Sequence, residues 1–333
     1  MTSPFVAASW QEPAWTDEAI AWIEATLKQQ NITIEGNIKQ PYVTPAATIL
    51  QIPTNAGQIF FKAVIPSLSV EISISDALAA WHPDHSLQVL GSDLQKGWML
   101  LPDGGLRVRE AFSQHLTLEH WTDIVAKYAK LQIALSDKID DLLAFGTRDR
   151  RLAVLPTLYE NLLADTDLLL LDQEDGISVQ VYQRLVASIP QVTQMCQQLD
   201  KYAVPASLHH NDLHDGNMFV QDEQFIFFDW GDSSISHPFF SLRTAFVSVE
   251  NTFGLVEDDA FFENLADAYL KPWSRFETQA NLRTTYDLAR RLWSISSAIK
   301  YQTLLGFAPP LQEEYKGAVP ALLQEFLEAN PNL

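Results

Sequence analysis

An α+β chain in two parts, a small β-rich lobe followed by a larger helical one, is the architecture this sequence predicts. Three observations point to it. Short strand-like runs dominate up to residue 102. Pro102-Asp103-Gly104-Gly105 then breaks the pattern as a hinge would. Beyond it, apolar residues recur at helical spacing, interrupted by one compact strand–turn–strand segment. The expected lobes are therefore 1–102 and 103–333. A length of 333 residues suits two domains of ordinary size, and 47% hydrophobic residues suffice for real cores.

Each element has a local reason. Thr16 can cap a first helix, with Asp17 and Glu18 at its positive end and Ile20, Ile23 and Leu27 on one face. Strands are expected at 32–38, 46–52 and 58–64, the last two joined by the turn at 53–57. A helix over 69–81 aligns Val70, Ile74, Ala77, Leu78 and Trp81, and Pro83 stops it. Two more strands are expected at 87–91 and 97–101. Past the hinge, helices are expected at 117–136, 149–163 and 178–200, the last bent or split at Pro190. A short strand at 206–209 leads into a hairpin of 217–221 and 224–228. From Pro238 onward the pattern is helical, its longest run at 278–305.

Composition narrows the function classes. The formal charge of −20 argues against a general nucleic-acid binder, which needs a basic face. It favours cationic small molecules, whose local concentration an acidic surface raises. Cys196 is the single cysteine, so no intrachain disulfide forms, and a reducing cytoplasm is the expected location. The N-terminal residues lack the basic and apolar segments of a signal peptide, and no apolar stretch approaches the ~18 residues of a membrane span.

The chemistry concentrates in residues 209–232, HHNDLHDGNMFVQDEQFIFFDWGD. A tight hairpin there brings Asn217 and Asp229 side by side at one end, with Asp212 on the connecting loop. Two oxygen ligands suit Mg²⁺, which prefers hard oxygen donors and keeps several waters. Asp212 is left to accept a hydrogen bond from an attacking hydroxyl. Phosphoryl transfer asks little else, because its loose transition state is served by positioning and charge neutralisation. A cation for nucleotide phosphates is also needed. Lys62 stands inside the apolar strand Ile59-Phe60-Phe61-Lys62-Ala63-Val64, where burial without a partner is costly, and Glu71 can be that partner.

His210-Asn211-Asp212-Leu213-His214-Asp215-Gly216-Asn217, followed by Phe228-Asp229-Trp230, resembles the aminoglycoside phosphotransferase and choline kinase-like family. Phe61-Lys62-Ala63, Glu71 and the run 97–102 extend the resemblance over about residues 30 to 305. It implies a protein-kinase-like, bilobal α+β fold, with a nucleotide-binding N-terminal lobe and the acceptor site in the C-terminal one. It implies ATP or GTP as co-substrate and Mg²⁺ as cofactor. The adenine would lie against the hinge, at Leu100, Leu101 and Asp103. Lys62, held by Glu71, would contact the phosphates. Asp212 would be the catalytic base or hydroxyl-orienting residue, Asn217 and Asp229 the Mg²⁺ ligands, and His210 a brace for the loop. The acceptor would be a small molecule carrying a hydroxyl, with amino sugars and aminoglycosides favoured by charge; no nucleic acid or membrane partner is expected.

The chain departs from the family pattern at Asn211, where Gly is usual, at Asp215, where Pro is frequent, and at His237, where Asp is usual. No Gly-rich phosphate loop is visible. Two other functions compete. One is a kinase-shaped protein that binds a nucleotide or metabolite without turnover. The other is a metal-dependent hydrolase built on His209, His210, Asp212, His214 and Asp215, although that spacing matches no common zinc site. Asp232 is read either as a turn residue or as an extra metal or substrate contact. Cys196, Trp273 and Trp293 are read as core.

Overall fold

The computed structural model describes residues 10–113, 117–221, 224–256, 260–307 and 311–333. In chain order the first elements are α1 Pro13–Lys28, β1 Lys39–Val43, β2 Ala47–Thr54, β3 Gly57–Val64, α2 Val70–Trp81, β4 Gly91–Asp93, β5 Trp98–Pro102 and α3 Val108–Ala111. Next come α4 Leu118–Leu135, α5 Ile139–Ala144, β6 Arg148–Asp149, α6 Leu155–Ala164, α7 Val179–Ala187, α8 Ile189–Leu199 and β7 Ser207–His209. They are followed by β8 Met218–Gln221, β9 Gln224–Phe227, β10 Ser234–Ser236, α9 Leu242–Phe253, α10 Ala260–Leu270, α11 Gln279–Arg290, α12 Trp293–Phe307 and α13 Ala318–Glu328.

The chain packs as two compact units. Of the described residues, the first takes those up to Ser113, then those of 215–231 and Phe307. The second takes those of 117–214, 232–306 and 311–333. The β8–β9 hairpin therefore belongs to the first unit, although it follows most of the second in sequence.

The first unit is built on a five-stranded antiparallel sheet in the order β1-β2-β3-β5-β4. Alternation along β3 decides its two faces. Ile59, Phe61 and Ala63 are buried, and Phe61 meets Trp15 and Trp22 of α1 and Trp98 of β5 at ring separations of 5.5–6.2 Å. Lys62 points to the opposite face, in register with Ile49 and Met99. The hairpin is tied to the segment after β5: Val220 N–H donates to Leu106 O (3.0 Å) and Gln221 Nε2 to Gly104 O (3.1 Å). A Cβ on Gly104 would lie 2.3 Å from the Phe219 ring, so no larger residue fits that approach.

In the second unit β6, β10 and β7 form a short sheet, β10 parallel to β6 and antiparallel to β7. A buried polar network from α4 fixes it. Gln132 Nε2 donates to Leu208 O (2.9 Å) and Ser241 Oγ (3.1 Å), while its Oε1 accepts from Tyr269 Oη (2.5 Å). Ser207 Oγ donates back to Gln132 O (2.6 Å), and the Tyr128 hydroxyl accepts from His210 N–H (3.0 Å). Trp273, Trp293 and Cys196 are buried, and burial pushes the Cys196 thiol up to about 12.

Several expected elements are displaced, each for a local reason. Residues 32–38 form no strand; Ile34 makes a single bridge to Thr54, and pairing begins at Lys39, beyond Gly36 and Asn37. The strand expected at 87–91 lies at β4, with Leu87 a buried loop residue. The helix expected from 149 starts at Leu155, because Arg148 and Asp149 are taken as a parallel strand by β10, itself unforeseen. The 178–200 run divides at Ser188, since Pro190 has no N–H to continue α7. The 278–305 run divides at Arg291 and Leu292. The first helix starts at Pro13, not Thr16, proline being suited to the first turn. Among the described residues no helix is long and apolar enough to cross a membrane.

Candidate active site

The residues singled out from sequence fall into two groups, one in each unit. In the first unit Lys62 Nζ lies 2.5 Å from Glu71 Oε1 and 2.7 Å from Asp229 Oδ1. Glu71 sits in the first turn of α2 and is buried, so its charge requires this partner. Burial of Lys62 works against its charged form, but the two carboxylates outweigh that and raise its pKa above the ordinary lysine range. Sequence pairs Lys62 with Glu71; the second carboxylate, Asp229, joins from a distance of 167 residues.

Asn217 and Asp229 occupy the open end of the hairpin. Met218 is in register with Phe227, and Phe228 N–H donates to Asn217 O (3.2 Å), which leaves Asp229 as the next residue out. Asp229 has φ +67°, a left-handed conformation that costs an L-residue about 1 kcal/mol, and its side chain is 45% exposed. A Cβ on Gly231 would lie 3.2 Å from Glu71 Oε2, so this glycine admits the buried carboxylate beside the turn. The two residues thus stand together at one end of the hairpin.

The hinge residues are placed unequally. Leu101 shares the sheet face of Lys62, whereas Leu100 points to the α1 face and is fully buried. Leu100 can therefore offer a ligand only its backbone. Asp103 is exposed and caps its own turn, Oδ1 accepting from Gly105 N–H (2.9 Å). The turn between β1 and β2 holds no glycine; Thr44 Oγ1 closes it by accepting from Ala46 and Ala47 N–H.

In the second unit the loop after β7 presents Asp212. Asn211 before it has φ +66°, and its Nδ2 donates to Asp232 O (3.0 Å) and Ser234 Oγ (2.9 Å). Asparagine tolerates the left-handed region, which explains how it stands where Gly is usual. Asp212 N–H donates to Nδ1 of the buried His210 (3.3 Å), and Asp212 Oδ2 lies 3.3 Å from His214 Nε2. Burial would raise the Asp212 carboxyl, but His214, Lys300 and His210 together hold it well below the usual carboxylate range.

Two departures from the family pattern have structural partners. Asp215 pairs with Arg109 Nη2 at 2.8 Å, within the first unit. His237 Nδ1 accepts from Phe239 N–H (3.3 Å), taking the capping role open to an aspartate, and burial lowers its pKa to about 3. Among the described residues no three of His, Cys, Asp or Glu gather as metal ligands would.

Lys300 was not foreseen. Its ammonium lies 3.8 Å from Asp212 Oδ1 and 3.8 Å from Asp232 Oδ2. The signal was present: Lys300 is the one charged residue of α12, WSISSAIKYQTLLGF. Asp232 answers Lys300 electrostatically, and its charge also acts on Arg148 and Arg150.

The sequence profile described as the phosphotransferase enzyme family matches residues 67–280. No curated protein sequence matches. Several solved structures are similar in fold. A type I macrolide 2′-phosphotransferase is 12% identical, with 94% of this chain and 97% of that one covered and a TM-score of 0.58. An ethanolamine kinase of Plasmodium vivax is 11% identical, covering 94% and 89%, with a TM-score of 0.56. Amicoumacin kinase, in complex with AMP-PNP and Ca²⁺, is 14% identical, covering 94% of each chain, with a TM-score of 0.53. These likenesses show the fold, a kinase-like α+β arrangement.

Proposed function

Because this chain belongs to the phosphotransferase enzyme family, whose members move a phosphoryl group to a hydroxyl, we propose that it is a small-molecule kinase acting with a nucleoside triphosphate, ATP or GTP. The observation that carries the reading is the ion triad of the first unit. A lysine inside a sheet, held by a buried glutamate and by the aspartate ending the hairpin, is arranged for nucleotide phosphates.

Each residue then has a role. Lys62 neutralises phosphate charge, and Glu71 keeps its ammonium in place. Asn217 and Asp229 would hold Mg²⁺; the half-exposed Asp229 carboxylate fits a hard cation. When bound, the metal supplies further charge neutralisation at the phosphates. Asp212 accepts a hydrogen bond from the acceptor hydroxyl. Its carboxyl lies too low to be a strong base, so it orients the hydroxyl and takes the proton only as the new O–P bond completes and the bond to the nucleoside diphosphate breaks. His210 braces that loop by accepting the Asp212 N–H. Leu101, Asp103 and the backbone of Leu100 would border the adenine.

The acceptor class proposed first is cationic, an amino sugar or amino alcohol, because the chain carries −20. Calorimetric titration with ATP and with GTP, with and without Mg²⁺, tests the site; Mg²⁺-dependent binding of either is expected. Asp229→Ala should weaken that binding, and unchanged affinity at low Mg²⁺ would remove Asp229 as a ligand. A phosphorylation screen over ethanolamine, a macrolide, streptomycin and simple amino sugars then identifies the acceptor. Asp212→Asn should abolish transfer while nucleotide binding persists.

A further inference from the structure

Lys300 is a costly residue to place where it stands. Its side chain is 10% exposed on α12, and it lies outside the span matched by the family profile. A buried ammonium needs compensation. It receives this from two carboxylates at equal distance, Asp212 Oδ1 and Asp232 Oδ2, both at 3.8 Å. At 3.8 Å each contact is an ion pair and not a hydrogen bond, so neither carboxylate is capped by the lysine. Tyr301 supports the ammonium from the side, its ring centroid 4.4 Å away. The arrangement sets Asp212 Oδ2 beside His214 and Oδ1 opposite the Lys300 charge at ion-pair distance.

We propose that Lys300 is a positioning residue for phosphoryl transfer, anchored by Asp232, whose ammonium fixes the Asp212 carboxylate and offsets its repulsion of the transferred phosphoryl group. The inference rests on the role given to Asp212 above. An unpaired carboxylate behind the attacking oxygen would oppose the approach of a negative phosphoryl group, and a lysine behind it reduces that opposition without touching substrate. The groups facing the pair agree with this. Asp212 is faced by His210 and His214 from its own loop, by Lys300 from α12 and by Tyr315 from the segment before α13. Lys300 is faced by Asp232, Tyr301 and, as an opposing cation, Arg150.

The test compares Lys300→Gln, Lys300→Arg and Asp212→Asn, reading ADP release from Mg·ATP. The acceptor is whichever panel compound turns over, with water as the acceptor otherwise. Lys300→Gln is expected to lower kcat about 10- to 100-fold with the KM for Mg·ATP unchanged. It should also move the acidic limb of kcat upward, because a cation stabilising ionised Asp212 is gone. Lys300→Arg is expected to restore most of kcat. A wild-type kcat and an unmoved acidic limb in Lys300→Gln would overturn the inference, as would equal losses in the Arg and Gln variants. If Lys300→Gln does not fold, Asp232→Asn replaces it, and wild-type kcat there is equally fatal. Full activity in Asp212→Asn would instead overturn the role of Asp212 itself.

Discussion

Lys62 holds three charges together, and its removal has two separable consequences. Lys62→Met takes from the buried Glu71 the cation it is paired with, which should cost about 3 kcal/mol of stability by denaturant unfolding. It should also reduce kcat by about 100-fold, because the phosphates lose a fixed cation. Adding Glu71→Gln to Lys62→Met should recover much of the stability and none of the activity, a separation that a double-mutant cycle reads directly. Asn211 offers a second contrast. At φ +66° with Nδ2 donating to His209 O, Asp232 O and Ser234 Oγ, Asn211→Ala should cost about 2 kcal/mol. Asn211→Gly keeps the backbone freedom and loses only the bonds, so it should be the milder change. The sequence offered Glu71 as the partner of Lys62 because it is the acid near the start of the helix that follows the lysine strand, even though the interval of nine residues is short. It could not show Asp229 joining them, since no local pattern reports a contact across 167 residues.

Buried polar groups hold elements together here beside the apolar packing. α4 grips β7 through Gln132 and Tyr128, and β7 carries the Asp212 loop. Gln132→Leu should destabilise by about 2 kcal/mol, through the hydrogen bonds lost to Leu208 O, Ser241 Oγ and Tyr269 Oη. It should also lower kcat, since the loop is positioned through it. The 3-10 turn Pro238–Ser241 after β10 is capped by His237, whose pKa falls from 6.5 to about 3. As pH drops the unfolded chain binds the proton first. The stability is therefore complete above pH 6.5 and is lost as pH falls toward about 3, by up to about 1.4 kcal/mol per pH unit. His209, buried and lowered in the same direction, adds to the loss. Unfolding midpoints from pH 7.5 to 4.5 should fall in wild type and fall less in His237→Asn, whose amide oxygen can still accept from Phe239 N–H. The hairpin and α4 were legible because alternation and heptad-like spacing are local. β10 and the strand at Arg148 were not, because strands of two or three residues owe their existence to the neighbours they pair with.

Across the whole molecule, charge and connectivity set different constraints. With a net charge of −20, the KM of a cationic acceptor should rise several-fold between roughly 0.05 and 0.5 M salt, while that of a neutral acceptor stays level. Steady-state kinetics with an amino alcohol and its uncharged analogue would show it. The first unit is assembled from segments far apart in the chain, so a fragment ending at Ser113 lacks the hairpin that Gly104 packs against and the carboxylate of Asp229. That fragment should show no cooperative unfolding and no nucleotide binding, whereas adding the chain through Gly231 supplies the missing pieces. The same connectivity gives the protein a schedule during its synthesis. At about 5–20 residues per second, the 167 residues separating Lys62 from Asp229 take on the order of 10 to 30 s to emerge from the ribosome. Through that interval the lysine has Glu71, made within a second or two of it, and the sheet can close around a neutral pair long before the residue that completes the triad has been translated.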